Sequence, residues 1–332
     1  SRGLGDVYKR QVAALRADPA ILDERIEAPI VVTGSPRAGT SIMHQLLSLR
    51  SDARAPLAWE YWAPAPPPTS ATNATDPRIP LANRDVRMSA ALAPMFDGMH
   101  EQGALLPRED ASAMGVDLRS DVLGAHYGVP SYREWMATCD MTSGYGWHRH
   151  VLQVLQRHVP TDRWVVKWPT HVAYLPTLLE TYPDARIVVC HRDPVAMLSS
   201  VTSLTATLRW CHAESVDYAA VAQEQLTTFA RQCDQLVEWD RAGLLPADRV
   251  AHVRFDEFMA DQAAAVAAVH DTVGLSFDDA DRDRIASYLA DRPQGRHGGH
   301  EHAFDDLGLD LDDTRARFAS YQQQFGIRSE DR

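Results

Sequence analysis

The sequence lacks the features of several protein classes. It has no apolar run close to the roughly 18 residues that a membrane-spanning helix needs. Positive charge is in deficit, because 33 lysines and arginines face 45 aspartates and glutamates, for a net charge of −12. That balance predicts no sequence-independent binding to nucleic acid or to an anionic membrane. An anionic ligand would therefore need a local cluster of cations.

Cysteine is also scarce. The four cysteines, Cys139, Cys190, Cys211 and Cys233, are scattered without a CxxC pair. This spacing argues against a disulfide framework or a cysteine-based zinc site and is typical of free thiols in a reducing compartment. We therefore expect a soluble, cytoplasmic protein.

What is present suits a folded chain of ordinary composition. Of 332 residues, 45% are hydrophobic and 23% charged, which leaves ample material for a core. The opening string SRGLGDVYKRQ resembles translated library adapter, so we leave residues 1–11 out of the fold prediction and expect the natural start to be missing. We expect residues 12–332 to form a single domain. The sequence does not predict its oligomeric state.

Short strand-like runs alternate with helical patterns along the chain. Strands are predicted at 30–32, 164–167, 185–190 and 250–253, and helices at 12–26, 40–49, 171–182 and after Pro194. After a proline-rich connector at 64–68, a helical insertion is predicted over about 76–160, with His148 and His150 on a helix surface. This alternation predicts an α/β fold, a P-loop-like parallel β-sheet flanked by helices, with the insertion between the first loop and the second strand. Ligands of such sheets bind beyond the carboxyl ends of the strands.

The first motif follows the first predicted strand. Residues 34–41, GSPRAGTS, lie between that strand and a helix, where backbone N–H groups and a helix N-terminus can hold a phosphate. In the nucleotide-binding GxxxxGK[ST] loop, a lysine follows the second glycine and reaches the β and γ phosphates. Here Thr40 stands in that place and the basic residue is Arg37. The loop favours a phosphate ligand other than ATP, and an ordinary glycine turn is the alternative.

The second motif, HRDPVAMLSS at 191–200, follows the third predicted strand. It is similar to the kinase loop HRDxxxxN, but Leu198 replaces the asparagine, so the metal-binding partner is missing. Arg192 and Ser200 lie about two helical turns apart and could face one phosphate. A local ion pair of Arg192 with Asp193 is the alternative.

Together and in this order, the two motifs resemble those of the sulfotransferases that use 3′-phosphoadenosine 5′-phosphosulfate (PAPS), and within them the bacterial branch with a PRxGT loop. The resemblance extends over most of the chain from about residue 28. Further matching segments are WE at 59–60, TDPR at 75–78, YGVPSY at 127–132, KWPTH at 167–171, PDARIV at 183–188 and FGI at 325–327. The resemblance implies PAPS as co-substrate and no metal.

The resemblance also assigns residues to the nucleotide. Arg192 and Ser200 would hold the 3′-phosphate, and Arg296, in the segment GRHG, resembles the basic loop that closes over it. The 5′-phosphosulfate would lie on the loop residues Ser35, Pro36, Arg37, Ala38, Gly39, Thr40 and Ser41.

Sulfuryl transfer builds negative charge on the sulfonate and on the leaving phosphate, so fixed cations are the chemistry it needs. Arg37 is the first such cation, and Lys167 resembles the second catalytic cation of the family. Two residues compete as general base for the acceptor: Glu60, slightly favoured, and His171, which resembles the histidine of eukaryotic members. A purely structural role is the alternative for three of these residues. Lys167 would then point to solvent, Glu60 would pair with a nearby arginine, and His171 would form hydrogen bonds with the backbone.

Aromatic residues near these motifs predict an apolar pocket for a small-molecule or glycolipid acceptor that bears a hydroxyl or an amine. These residues are Trp59, Tyr61, Trp62, Trp135, Tyr145, Trp147 and Trp168. Two other functions stay open. A small-molecule kinase would require a lysine at position 40 and an acidic magnesium ligand. The other is a catalytically inactive nucleotide-binding homologue, which assays of turnover would distinguish from an active sulfotransferase.

Overall fold

Five parallel strands form one sheet in the order β2–β3–β1–β4–β5. The structure is a computed structural model that describes residues 3–94, 101–292 and 303–330. The strands are β1 (Ile30–Gly34), β2 (Ala53–Arg54), β3 (Arg163–Lys167), β4 (Arg186–His191) and β5 (Val250–Arg254). The predicted α/β fold with a parallel sheet is confirmed, and the two-residue strand β2 is an addition to the prediction.

The central strand β1 is buried along its whole length. It pairs with β3 on one side and β4 on the other, so that Val32 lies opposite Lys167 and Val188. Valine and isoleucine dominate these three strands because a parallel sheet covered on both faces has no solvent side for polar residues. The pairing places the carboxyl ends of β1, β3 and β4 next to one another.

Helices flank the sheet, and several fill the long connection between β2 and β3. In the described part of the chain the α-helices are α1 (Leu4–Ala17), α2 (Thr40–Leu47), α3 (Ala58–Trp62), α4 (Arg78–Leu92), α5 (Ala111–Met114), α6 (Asp121–His126), α7 (Pro130–Thr138), α8 (Thr142–Gln156), α9 (Leu175–Thr181), α10 (Pro194–Trp210), α11 (Tyr218–Arg241), α12 (Phe255–Ala260), α13 (Gln262–Thr272), α14 (Asp279–Ala290) and α15 (Leu311–Phe325). Helices α4 to α8 occupy the place of the predicted helical insertion. None of the helices described combines the length and the apolar composition needed to cross a membrane.

The N-terminal helix differs from its prediction. It begins at Leu4 rather than at residue 12 and ends at Ala17, because Pro19 opens a separate 3-10 turn. Helix α1 therefore includes most of the segment left out of the fold prediction, and the ring of Tyr8 lies 4.9 Å from that of Trp147. The helix predicted at 171–182 is likewise divided into a 3-10 turn, Pro169–Ala173, and α9.

The prediction that His148 lies on a helix surface is wrong. His148 is only 1% exposed, and its Nδ1 lies 2.8 Å from the hydroxyl of Tyr182. Tyr145 and Leu152, three residues before and four residues after, are fully buried on the same face of α8. His148 therefore belongs to the face that packs against the core, whereas His150 is half-buried.

Candidate active site

Two glycines shape the loop after β1. A Cβ added to Gly34, whose φ is +126°, would lie 2.1 Å from the carbonyl oxygen of Cys190, so glycine alone lets β1 end this close to β4. Gly39, with φ +84°, stands in the left-handed region immediately before α2. Between them, Arg37 adopts a φ of +71°, which costs a non-glycine residue about 1–3 kcal/mol. Strain of this kind is concentrated at functional sites.

Residues predicted to bind the nucleotide or to catalyse the transfer converge at the ends of three neighbouring strands. Arg37 Nε, in the loop after β1, donates to Ser200 Oγ over 3.1 Å. Arg192, after β4, donates from Nη1 to the carbonyl oxygen of Arg37 over 3.1 Å. Lys167 Nζ, at the end of β3, donates to Ser41 Oγ over 3.1 Å. The two motifs and Lys167 thus form one connected group of donors.

The rest of the loop is compact. Ser35, Ala38 and Thr40 are buried, and the Ser35 carbonyl accepts the amide of Ala38 at 3.2 Å, which closes the turn. Pro36 is half-buried on the wall of a neighbouring cavity. The loop leads directly into the N-terminus of α2, which has no side-chain cap, so the first backbone N–H groups of this helix can bind a phosphate.

Arg192 is held from two directions. Its guanidinium lies 4.1 Å above the ring of Phe255, and both carboxylate oxygens of Glu330 accept its hydrogen bonds. Asp193 instead accepts the amides of Val195 at 3.0 Å and Glu330 at 2.9 Å, so the local Arg192–Asp193 pair does not form. Arg296, the remaining residue predicted at this phosphate, lies outside the described residues.

Cations are crowded in this group. Partial burial, together with the charge of Arg192, lowers the pKa of Arg37, as expected where two guanidinium groups approach each other. Lys167 is only 3% exposed and forms an ion pair with Glu109 rather than pointing to solvent. A bound anion would relieve the repulsion between the arginines.

Glu60 lies at the base of the insertion with no exposed surface. One carboxylate oxygen pairs with Arg54, and the other accepts the amide of Leu57 at 2.8 Å. Burial raises the pKa of Glu60, while Arg54 opposes that shift. The carboxylate is fully engaged in holding α3 to the strand β2.

His171, the other predicted base, is also fully buried. Its Nε2 lies 2.9 Å from Asp110 Oδ2 and its Nδ1 2.9 Å from the hydroxyl of Tyr145. Burial lowers the pKa of His171, while the hydrogen bond and the charge of Asp110 oppose that shift. Because a carboxylate only accepts hydrogen bonds, Nε2 donates to Asp110. Both ring nitrogens are therefore occupied.

Asp110 is the centre of this buried network. It also accepts a hydrogen bond from Tyr61 Oη, at 2.5 Å, and lies 3.4 Å from His148 Nε2. Burial alone would raise the pKa of Asp110, but His148 and His171 hold it below its usual value. Because the amide of Asp110 donates to the carbonyl of Lys167 at 2.9 Å, the network fixes the segment 108–110 against the end of β3.

A cavity of about 750 Å³ opens beside the loop, and we name it the acceptor cavity after the substrate expected there. Trp168, Tyr174 and Leu208 contribute to its apolar wall, and Pro36, Glu109 and Asp121 also lie on its lining. Burial is the main cause that raises the pKa of Asp121 to about 6, although this carboxylate accepts hydrogen bonds from Trp168 Nε1 and Thr170 Oγ1. The cavity thus combines an apolar body with two carboxylates near the cation group.

A second cavity, of about 470 Å³, lies on the other side of Arg108. Three of the aromatic residues predicted for an acceptor pocket, Trp59, Tyr61 and Trp62, line it, while Trp168 lines the acceptor cavity. The others lie elsewhere: Tyr145 joins the buried network, Trp147 packs on Tyr8, and Trp135 stacks near Arg119.

Glu109 and Asp121 were not among the predicted site residues. Neither lies in a glycine loop or at a predicted strand end, and their positions depend on how the insertion folds against β3. The sequence does contain a signal for Glu109, because it lies between Arg108 and Asp110 in a run of three charged residues within the helical insertion. Among residues 3–94, 101–292 and 303–330, no group of three His, Cys, Asp or Glu side chains suits a metal ion.

The chain is similar in sequence to known proteins. The sequence profile of the sulfotransferase family matches residues 29–279. An omega-hydroxy-beta-dihydromenaquinone-9 sulfotransferase of Mycobacterium bovis is 24% identical over 294 residues, which cover 86% of this chain and 70% of that protein.

Two solved structures extend the similarity to the fold. Sulfotransferase STF9 from Mycobacterium avium aligns with a TM-score of 0.85 and 27% identity, over 97% of this chain and 83% of its own. Sulfotransferase STF1 from Mycobacterium tuberculosis H37Rv aligns with a TM-score of 0.82 and 26% identity, over 95% of this chain and 83% of its own. With its parallel sheet and the profile match, the chain belongs to the sulfotransferase family, and its reaction is sulfuryl transfer.

Proposed function

We propose that the protein transfers the sulfuryl group of PAPS to a hydroxyl group of an apolar, lipid-like small molecule. The observation that carries the proposal is the convergence of Arg37, Lys167 and Arg192 at adjacent strand ends, beside the mainly apolar acceptor cavity. The cations fit a ligand with two anionic groups, and the cavity fits the second substrate.

The two ends of the nucleotide would use different donors. The 5′-phosphosulfate would lie on Ser35 to Ser41, where the N-terminus of α2 and the guanidinium of Arg37 supply hydrogen-bond donors. The 3′-phosphate would bind Arg192 and Ser200, together with Arg296. The contact of Arg37 Nε with Ser200 Oγ supports this division, because the residues proposed for the two phosphates are neighbours.

In the transfer step, the acceptor oxygen forms a bond to sulfur while the bond from sulfur to the 5′-phosphate oxygen breaks. Negative charge then grows on the leaving phosphate, and Arg37 and Lys167 would stabilise it. The proton of the acceptor hydroxyl must move to a base at the same time or before.

We propose Glu109 as that base, ahead of Glu60 and His171. It lines the acceptor cavity and pairs with Lys167, which in turn contacts Ser41 in the loop. When Glu109 takes the proton, it no longer neutralises Lys167, whose charge becomes available to the leaving phosphate. Asp121, on the same cavity, would orient the acceptor.

The other two candidate bases, Glu60 and His171, are better placed to hold neighbouring residues in position than to accept a proton from the acceptor. Glu60 and His171 are fully buried, and the polar atoms of both side chains form hydrogen bonds with other residues of the protein. We propose that Glu60 holds the insertion to the sheet through Arg54, and that His171 fixes Asp110 and hence the neighbouring Glu109.

The acceptor is proposed from the cavity and from one relative. The wall of the acceptor cavity is mainly apolar, and the Mycobacterium bovis relative is named for an omega-hydroxylated dihydromenaquinone. A hydroxylated molecule with an apolar body fits both observations.

The four free cysteines accord with the proposed cytoplasmic location.

The first test is thermal stability of the protein with saturating PAP (the product 3′,5′-diphosphate), ADP or AMP. A ligand present at about 100 times its Kd adds roughly 2.7 kcal/mol to the free energy of unfolding. We expect a rise in Tm that is selective for PAP, followed by turnover of PAPS with hydroxylated apolar acceptors. Equal shifts for all three nucleotides would contradict the 3′-phosphate site, and PAP binding without turnover of any acceptor would support the inactive homologue.

A further inference from the structure

Large exposed side chains lie together at the edge of the acceptor cavity. In the loop between α6 and α7, Tyr127 and Val129 are 49% and 44% exposed, and Trp210, the last residue of α10, is 66% exposed. An exposed apolar residue is ordinary when it stands alone, whereas several of them at one place are typical of an interaction surface.

Contacts between this loop and the end of α10 join the exposed residues into one surface. The ring of Tyr127 lies 4.8 Å from the ring of His212, which is also exposed. A Cβ added to Gly128 would lie 3.9 Å from Cδ of Arg209, the residue before Trp210. The loop therefore runs alongside the end of α10. We name this surface the rim patch, and its members are Tyr127, Val129, Trp210 and His212.

The rim patch borders the acceptor cavity without forming its wall. The residues on either side of the exposed loop positions, His126 and Pro130, line that cavity, and so do Leu208 and Arg209, immediately before the exposed tryptophan. The members of the rim patch are not on the lining. The rim patch thus lies where the wall of the cavity reaches the surface of the protein.

The charges around the rim patch do not favour an anionic partner. The patch contains no lysine or arginine, and the two arginines nearest in sequence, Arg133 and Arg209, both pair with Oε2 of Glu224, at 2.5 and 2.6 Å. Glu214, two residues after His212, is an exposed carboxylate. By contrast, tryptophan and tyrosine rings, which are apolar with one polar atom, suit the interface of a lipid bilayer with water.

The size of the rim patch argues against a stable protein partner. A standard protein–protein interface uses about 20 to 30 residues on each side, far more than the four of the patch. Insertion of a few amphipathic rings between lipid head groups needs no such area, because each buried ring contributes by itself. The rim patch therefore fits a lipid surface better than a second copy of the chain.

We propose that the rim patch docks the protein on a zwitterionic lipid bilayer, with the edge of the acceptor cavity facing the membrane. This inference rests on the proposed function, because an apolar hydroxylated acceptor would be dissolved in such a bilayer. The acceptor could then enter the cavity without crossing water. The contact does not need the anionic membrane that the net charge of −12 disfavours.

The experiment measures co-sedimentation of the protein with sucrose-loaded phosphatidylcholine vesicles, with and without added phosphatidylglycerol, at low and at high salt. We expect binding to phosphatidylcholine alone, little changed by salt and not strengthened by the anionic lipid, because rings rather than charges make the contact. Absence of binding to phosphatidylcholine, or binding that requires phosphatidylglycerol, would overturn the inference.

The variants Tyr127→Ser and Trp210→Ser assign the binding to the rim patch. Each should weaken the partition into phosphatidylcholine vesicles by at least about fivefold, because one large ring no longer leaves water. Leu244→Ser is the matched control, since Leu244 is 57% exposed at the other end of α11 and lines neither cavity. Partition that is equal in the wild-type protein and in both rim variants would refute the rim patch as the docking surface.

Light scattering without vesicles tests the alternative occupant, a second copy of the chain. We expect the same molar mass for the wild-type protein and Trp210→Ser. A dimer that Trp210→Ser dissociates would overturn the inference in favour of a protein interface.

The thermal shift with PAP separates this inference from the proposed function and shows that each variant is folded. A PAP shift without binding to phosphatidylcholine vesicles would remove the docking surface and leave the nucleotide site in place. Vesicle binding that depends on Trp210 but without any PAP shift would leave the docking surface in place and remove the proposed function.

Discussion

Glu330 holds the guanidinium of Arg192 through both of its carboxylate oxygens, with Oε1 2.7 Å from Nε and Oε2 2.7 Å from Nη2. These are donors that a 3′-phosphate would use. A nucleotide that binds Arg192 must therefore displace Glu330 or share the guanidinium with it.

Glu330→Gln should tighten the binding of PAP, because the phosphate no longer competes with a carboxylate. The pair is partly exposed, so the gain is expected to be about two- to fivefold, equivalent to no more than about 1 kcal/mol. Isothermal titration with PAP measures it, and Glu257→Gln, which removes an exposed carboxylate paired with Arg254, serves as control. The same PAP affinity in Glu330→Gln and in the wild-type protein would show that the contact does not oppose the nucleotide.

Arg192→Met should weaken PAP binding by about tenfold or more and leave AMP binding nearly unchanged, since AMP has no 3′-phosphate. The reason is the loss of charge-assisted hydrogen bonds to that group alone. Titration of both nucleotides against the variant tests this. Equal losses for PAP and AMP would remove Arg192 from the recognition of the 3′-phosphate.

Arg37→Ala should lower kcat by about 10² to 10³ and change acceptor affinity little, because the guanidinium is expected to act on charge that develops during transfer. Arg37→Lys should recover only part of the loss, since lysine lacks the planar fork. Steady-state kinetics with PAPS provide the measurement, and the exposed Arg25→Ala is the control. Unchanged kcat in Arg37→Ala would exclude a role in the chemical step.

Glu109→Gln should lower kcat by about 10² to 10⁴, the usual contribution of a general base, and remove the part of the pH profile that reports its deprotonation. Glu60→Gln and His171→Gln should reduce stability while the folded fraction keeps that pH profile. The three profiles are compared at saturating PAPS, with the PAP-induced shift in Tm as a check of folding. Full activity in Glu109→Gln would disprove its assignment as base.

Asp121 should make the protein less stable as the pH rises. Its folded pKa of about 6 lies above the ordinary value of 3.8, so between about pH 4 and pH 6 the folded state binds more protons than the unfolded state. The free energy of unfolding therefore falls across that window, and Asp121→Asn should gain about 1–2 kcal/mol at pH 7 relative to the wild-type protein.

Urea unfolding at several pH values tests this prediction. Asp271→Asn, at an exposed position on α13, is the matched control and should leave the pH dependence unaltered. If Asp121→Asn is no more stable than the wild-type protein at pH 7, the carboxylate is better solvated than its surroundings indicate.

The sheet and the phosphate-binding elements were predictable because their signals are local. Buried runs such as Ile30–Gly34 identify strands by themselves, and the glycines at 34 and 39 identify the loop between strand and helix. By contrast, β2 has only two residues and carries no recognisable pattern. His148 was misplaced because one polar residue on an apolar helix face resembles a solvated one until its partner Tyr182, 34 residues away, is known.

The carboxylates of the acceptor cavity lie beyond what local patterns can predict. Glu109 meets Lys167 across 58 residues of sequence, and Asp121 meets Trp168 across 47. Neither contact exists before the insertion folds onto the end of β3. The two residues that local reasoning offered as bases, Glu60 and His171, are polar groups that the same packing encloses.

The strand order has a consequence for how this protein can change. The phosphate-binding loop, Lys167 and Arg192 are fixed to β1, β3 and β4 of one sheet, whereas Trp62, Arg108 and Asp121 come from the long connection between β2 and β3. The cations proposed to bind the nucleotide are therefore encoded outside residues 58–156, whereas the wall of the acceptor cavity is shared between that stretch and residues 168–232. Exchange of residues 58–156 between relatives would therefore replace Glu109 together with part of that wall, and would keep Arg37, Lys167 and Arg192 in place.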